Sequence, residues 1–147
     1  MLSKNMILLT HGDLATGIIQ SAQLILGKIP NLFSISIGLD ETVEDIINEI
    51  KKIEASFFEE KPIIIVTDIP GGSTTQAAIK VIEGQKDKYL ITGLNLGLLL
   101  TLVTLPLTKD RTDNLIKLKN AVLEAKNTIQ IVDNLFFDLE QNQDGEL

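Results

Sequence analysis

The sequence predicts an α/β fold: a three-layer sandwich with a mostly parallel central sheet and helices on both faces. Three observations carry this. Strand-like runs alternate with helical periodicities from end to end. Met6 to Thr10 (MILLT) is apolar along its length, as a strand covered on both faces must be. Residues 63 to 67 (IIIVT) form a β-branched run introduced by Pro62, the strongest strand signal in the chain. Right-handed crossovers between parallel strands follow by default.

The elements follow in order. After the first strand, Leu14, Ile18, Ser21, Ala22, Ile25 and Leu26 recur at helical spacing, with Asp13 as the expected cap and Gly27 as the stop. Leu32 to Ile37 (LFSISI) alternates with period two, a strand. Glu41 to Phe58 is expected as a long amphipathic helix with Val43, Ile46, Ile47, Ile50, Ile53 and Phe57 inward, capped by Asp40 or Thr42. IIIVT leads through Asp68-Ile69-Pro70-Gly71-Gly72-Ser73 into a helix from about Thr74 to Glu83. Tyr89 to Thr92 is a further strand ended by Gly93, and Leu96 to Leu105 a buried helix. Asp113 to Lys126 is amphipathic, capped by Thr112 or Asp113, and Ile129 to Val132 is the candidate for a last short strand. Residues 1–137 therefore read as one domain, and 138–147 as an acidic, disordered tail.

Composition narrows the chemistry. The chain has 147 residues, one histidine, no cysteine and a net charge of −7. Without thiols there are no disulfides, zinc–thiolate sites or iron–sulfur clusters, and one histidine makes a transition-metal site improbable. No metal and no cofactor are expected. The acidic balance argues against nucleic acid and against docking on an anionic membrane. The short apolar stretch before His11 does not make a signal peptide, and Leu94 to Leu107 is too short to span a bilayer. The expectation is a soluble, cytoplasmic protein.

Three strands end in residues that suit a site. The first ends in Thr10-His11-Gly12, the third in Thr67-Asp68 before the glycine turn, and the fourth in Thr92-Gly93 with Asn95 following. Parallel strands would bring all three groups to one sheet edge, where α/β proteins place their ligands. His11, Asp68 and the backbone of Gly71 to Thr74 would share a crevice. A neutral imidazole is a nucleophile, and a carboxylate on its other ring nitrogen fixes the tautomer and stabilises the cation formed after attack. Glycine N–H groups and a helix beginning at Ser73 or Thr74 suit an anion. Thr10, Gly71, Gly72, Ser73 and Thr74 are the candidate phosphoryl-binding residues, with Gly12 and Asn95 lining the crevice. This set fits phosphoryl transfer better than acyl transfer, since GGSTT is not the G-x-S-x-G elbow. The phosphate-loop lysine and G-x-G-x-x-G are both absent. Each piece also has a plain structural reading: Asp68 as turn chemistry, Ser73 and Thr74 as caps, Asn95 as a left-handed turn residue.

The residues resemble a known family. Thr10 to Gly17 (THGDLATG), with Ser21 and then Ile25-Leu26-Gly27, is similar to the start of the enzyme IIA domains of the mannose-type sugar phosphotransferase system. Asp68 with Gly71-Gly72-Ser73, and Gly93 with Asn95 and Leu99, match the second and third motifs of that family. The resemblance covers roughly 6 to 128. It implies a phosphocarrier whose His11 takes a phosphoryl group from the histidine-containing phosphocarrier protein and passes it to enzyme IIB for sugar uptake. It implies that Asp68 pairs with the unphosphorylated ring nitrogen, and that the backbone of Gly72 to Thr74 holds the phosphoryl oxygens. It also implies a homodimer, in some members with an exchanged C-terminal strand, here Ile129 to Val132, and contact with the membrane only through the transporter. Where the family often has Pro-x-Asn after GGS, Thr74-Thr75-Gln76 stands here, and Leu96-Gly97 replaces apolar-Pro. Regulatory domains switched by phosphorylation and a dihydroxyacetone kinase phosphodonor subunit share this fold and are the alternative readings.

Overall fold

The computed structural model describes residues 3–133 and 138–142. Four strands, β1 (Asn5–His11), β2 (Leu32–Ile37), β3 (Ile63–Thr67) and β4 (Lys88–Thr92), form one sheet in the order β2-β1-β3-β4, all parallel. Five helices complete the chain: α1 (Leu14–Leu26), α2 (Val43–Ala55), α3 (Ser73–Ile82), α4 (Leu96–Thr104) and α5 (Arg111–Lys126). The expected sandwich is present. Strand order reverses between β1 and β3, because β1 is followed outward by β2 on one side and β3 by β4 on the other.

The central strands explain the two-sided core. Along β1, Met6 and Leu8 pack into one cluster with residues of α1, α4 and α5, while Ile7 and Leu9 pack into a second cluster with α2 and α3. Along β3, Ile64 and Val66 join the first cluster, Ile63 and Ile65 the second. Alternate side chains of a strand point to opposite faces, so a run apolar at every position is what a covered sheet selects. Burying each such side chain is worth about 1.5–3 kcal/mol.

Local chemistry sets the boundaries. Thr42 and Asp45 form a reciprocal capping box at the start of α2. The helix is shorter than the Glu41 to Phe58 expected: it ends at Ala55, where the Ser56 hydroxyl donates to the Ile53 carbonyl at 2.6 Å. Phe57 instead packs on Phe33, with ring centroids 5.1 Å apart. Helix α5 starts two residues before Asp113, because Asp110, not Thr112 or Asp113, caps it by accepting from the Asp113 amide. Arg111 then donates to the Lys86 and Lys88 carbonyls and lies 4.9 Å from the Tyr89 ring centroid, fixing α5 to the start of β4.

Two C-terminal expectations need correction or restatement. Ile129 to Val132 is not a strand: it joins no ladder and its apolar side chains are exposed. Of the tail expected to be disordered, residues 138–142 are helical and exposed, and 143–147 lie outside the described residues. Among the described residues, no helix is long and apolar enough to cross a membrane.

At the far end of β1 from His11, Lys4 is almost wholly buried. Its ammonium donates to the carbonyls of Val103 at 3.2 Å and Leu105 at 2.7 Å, at the last turn of α4. Beside it, the Ser3 hydroxyl accepts from the Leu107 amide, so the N-terminal residues are tied to the end of α4. Burial lowers the Lys4 pKa to about 8. Folded Lys4 therefore releases its proton near pH 8, whereas an unfolded lysine holds it to about 10.4. In that window the unfolded chain binds more protons, so this group makes stability rise with pH. Compared with Lys4→Met, which cannot titrate there, the wild-type protein should gain thermal midpoint between pH 8 and pH 10. Parallel melting curves of the two proteins check the difference.

Candidate functional site

The site is built where β1 and β3 leave the sheet side by side. Leu9 pairs with Thr67, so the residues just beyond them, His11 and Asp68, meet at the carboxyl edge. Strand β1 is buried from Asn5 through Thr10 and emerges at His11, whose side chain is 47% exposed. The chain then turns sharply at Gly12, where φ is +59°, a conformation that glycine adopts without steric cost. The Gly12 amide donates to the Ile37 carbonyl at 2.9 Å, which ties this turn to the end of β2.

Asp68 is held from every side. Its Oδ2 accepts from the His11 amide at 2.8 Å and lies 2.7 Å from His11 Nδ1. Its Oδ1 accepts from the Ile69 amide at 3.0 Å and from the Thr74 hydroxyl at 3.0 Å. Burial alone would raise its pKa; the hydrogen bonds from the His11 amide and ring and from Thr74 outweigh that and lower it. An ionised carboxylate only accepts, so the proton of this short contact belongs to Nδ1, and the lone pair of a neutral ring is then on Nε2. The aspartate expected to orient the imidazole is in place to do so.

The glycine turn reaches the ring. A Cβ on Gly72 would lie 3.0 Å from His11 Cε1 and 3.3 Å from Ile69 Cδ1. Gly72 is the N-cap of α3, with no side-chain cap, and the unbonded N–H groups of that first turn are a natural anion seat. Gly71, on that loop, is exposed, and Ser73, at the start of α3, is half-buried.

Several candidate residues do other work. Thr10 is fully buried and its hydroxyl accepts from the Ala15 amide at 2.9 Å, so it caps α1 instead of facing the crevice. Asp13, the expected cap, makes no side-chain cap bond. Thr74 is fully buried, and its hydroxyl is committed to Asp68. Ser73 is the first residue of α3, one position after the cap it was expected to supply. Asn95 is not a left-handed turn residue: its φ is −143°, and its side chain caps α4 by accepting from the Leu98 amide at 2.7 Å. It stands after β4, the strand beyond β3, and among the described residues no hydrogen bond joins it to His11 or Asp68.

A hydroxyl cluster, buried at Thr67 and Thr75, was not foreseen. Thr67 Oγ1 lies 2.7 Å from Thr75 Oγ1 and 2.9 Å from Thr92 Oγ1, and Thr75 donates to the Ile69 carbonyl at 2.6 Å. It fastens the ends of β3 and β4 to α3 and fixes the loop that carries Asp68. The threonines closing both strands were visible in the sequence, but their meeting with Thr75 depends on the path of the intervening loop. Among the described residues, no cluster of three His, Asp or Glu side chains could hold a metal ion.

Similarity to known proteins decides the class. The sequence model of the family described as the PTS system fructose IIA component, EIIA-man, matches residues 5–123. The chain belongs to this enzyme IIA family. Its place is accordingly in phosphoryl transfer within the sugar phosphotransferase system. Among solved structures, it is similar to the mannose/sorbose-specific IIA subunit from Enterococcus faecalis, with a TM-score of 0.76 and 19% identity over 90% of this chain and 96% of that one. It is also similar to the EIIA component from Streptococcus agalactiae (TM-score 0.74, 21% identity, 87% and 96% covered). A third is the IIA protein associated with the fucose utilization operon of Streptococcus pneumoniae (TM-score 0.74, 21% identity, 89% and 94% covered). These likenesses show the enzyme IIA fold. No curated protein sequence matches the chain.

The Gly72 contact gives a test of the geometry. Gly72 has an extended backbone, φ −87°, that alanine adopts freely, so the effect of Gly72→Ala comes from the added methyl crowding the imidazole and, less closely, the Ile69 side chain. The substitution should cost about 1–3 kcal/mol and push the ring off Asp68. A downfield Nδ1 proton in the wild-type spectrum, weakened or lost in the variant, together with a lower melting temperature, is the expected result.

Proposed function

We propose that this enzyme IIA carries the phosphoryl group on Nε2 of His11, taking it from the histidine-containing phosphocarrier protein and passing it to enzyme IIB. The observation that supports this most directly is the 2.7 Å contact between His11 Nδ1 and the multiply hydrogen-bonded Asp68. With the proton held on Nδ1, the Nε2 lone pair attacks phosphorus as the bond to the donor breaks, and the donor keeps that electron pair. The ring becomes cationic, and Asp68 stabilises the cation. The first-turn amides of α3 offer the phosphoryl oxygens donors without a metal. Such catalysis rests on positioning and on charge stabilisation.

The surface around His11 suits a protein partner. Leu14, the first residue of α1, and Leu39 and Ile69, on the loops after β2 and β3, are exposed by 47%, 104% and 51%. Helices in this topology run back against the strands, so α1, α2 and α3 begin at the His11 end. Asp13, Asp40, Glu41, Glu44 and Asp45 stand there, whereas Lys28, Lys51, Lys52 and Lys80 fall at the opposite end. An apolar patch rimmed by carboxylates fits a partner whose phosphoryl-bearing face is apolar and basic.

The homodimer belongs to the same proposal. Among the described residues, β4 is an edge strand beside a groove of about 470 Å³, walled by Ile82, Tyr89, Ile91, Leu115 and Val122. An open edge is a template for another strand, and Ile129 to Val132 pairs with no strand among the described residues. The segment from a second copy would fill the groove.

Three outcomes are expected. Incubated with the phosphorylated phosphocarrier, the wild type gains the mass of one phosphoryl group and His11→Ala gains none while keeping its fold; an equal gain in the variant would remove His11 from the mechanism. Asp68→Ala folds but accepts the group at least tenfold more slowly in single-turnover measurements. A chain ending at Thr128 sediments as a monomer while the full chain sediments as a dimer.

A further inference from the structure

We propose that the Thr74 hydroxyl sets the phosphoryl-transfer potential of His11 by drawing charge away from the Asp68 carboxylate. This rests on His11 being the phosphoryl carrier. Thr74 sits in the first turn of α3, is fully buried, and donates to Oδ1 of Asp68 at 3.0 Å. Its hydroxyl is not needed to aim the carboxylate. Oδ2 is already fixed by the His11 amide and ring, and Oδ1 by the Ile69 amide. What Thr74 adds is a fourth donor to a group carrying one negative charge. A donor on Oδ1 polarises the carboxylate towards itself and leaves less charge on Oδ2, the oxygen facing the ring.

That redistribution acts unequally on the two states of His11. The ring that attacks is the neutral tautomer with its proton on Nδ1. When phosphoryl arrives, Nε2 forms a bond to phosphorus, the donor leaves with its own electron pair, and the ring becomes a cation with the proton still on Nδ1. On departure the Nε2–P bond breaks, the electron pair returns to Nε2, and the acceptor forms the new bond to phosphorus. Only the phosphorylated ring is charged beside Oδ2. The phosphoryl oxygens are on the opposite nitrogen, farther from Asp68. Charge withdrawn from Oδ2 therefore raises the energy of phosphorylated His11 relative to free His11, and the group is held less tightly. A relay component must bind phosphoryl weakly enough to hand it on, and Thr74 adjusts that balance. A proline at this position, as the family often has, would offer no hydroxyl.

The test compares the full chain as wild type, Thr74→Val, Thr74→Ala and Thr74→Ser. Each is equilibrated with the histidine-containing phosphocarrier protein at a fixed ratio of its phosphorylated and free forms, and the phosphorylated fraction is read by intact mass. Both hydroxyl-free variants should shift towards the phosphorylated form by about three- to tenfold in the equilibrium ratio, with the serine variant matching wild type. Melting curves identify which hydroxyl-free variant is folded, and one folded variant suffices. An unshifted or reduced ratio, or a serine variant that shifts with the others, overturns the role of Thr74. A wild type that takes up no phosphoryl group would overturn the reading of His11 itself.

Discussion

The short contact between His11 and Asp68 depends on one topological fact: β1 and β3 are hydrogen-bonded neighbours running the same way. Because Leu9 stands opposite Thr67, the first residues past the ladder leave the sheet together. In an antiparallel pair the carboxyl end of one strand would face the amino end of the other, and the two groups would sit a strand length apart. The sequence builds that neighbourhood by making both strands apolar at nearly every position, so that only the covered centre of a sheet accommodates them. The same packing that stabilises the domain thus brings acid and imidazole together. Strand order reverses at this place, which leaves room above the sheet for a partner's reacting group.

Around that pair the structure uses small residues for approach and threonines for restraint. Gly72 lets the loop touch the imidazole, and Gly12 lets the chain leave β1 steeply enough to begin α1. Apart from the Gly12 amide's bond to Ile37, neither restrains the chain, because glycine is the most conformationally free residue. The fixing falls to buried hydroxyls: Thr10 on the first turn of α1, Thr75 on the Ile69 carbonyl, Thr74 on Asp68. A hydroxyl in a core is tolerated only when bonded, and these are bonded to groups that would otherwise drift or stand unsatisfied. The loop is therefore held by its neighbours' side chains more than by its own.

How far the sequence could be read follows from this division. Alternation of strands and helices, the two-sided burial of MILLT and IIIVT, and the convergence of His11 with Asp68 were legible, because each depends on periodicity and on strand direction. The destinations of Thr10, Thr74 and Asn95 were not. All three look like site residues when viewed as strand-end or loop residues beside a histidine, yet two are caps and one is a ligand of the aspartate. A hydroxyl or amide near a helix start has two competing uses, and the turn geometry that decides between them has no signature in one sequence. Ile129 to Val132 shows a different limit. Its composition is that of a strand, but a strand exists only with a partner, and among the described residues it pairs with none.

The uneven placement of charge has a kinetic meaning. Carboxylates gather at the starts of α1 and α2, whereas at the opposite end lysines alternate with Glu54, Glu59, Glu60, Glu83 and Asp87, so the histidine end is the more uniformly acidic one. A cationic protein drifting nearby is turned towards the histidine before any surfaces meet, which raises the fraction of collisions that are productive. Such guidance fades within about 10 Å at 0.1 M ionic strength. The histidine end can therefore recruit from a distance without gripping hard, and a shuttle that must meet two partners in alternation works fastest when attraction is spent on arrival and little of it remains to delay departure.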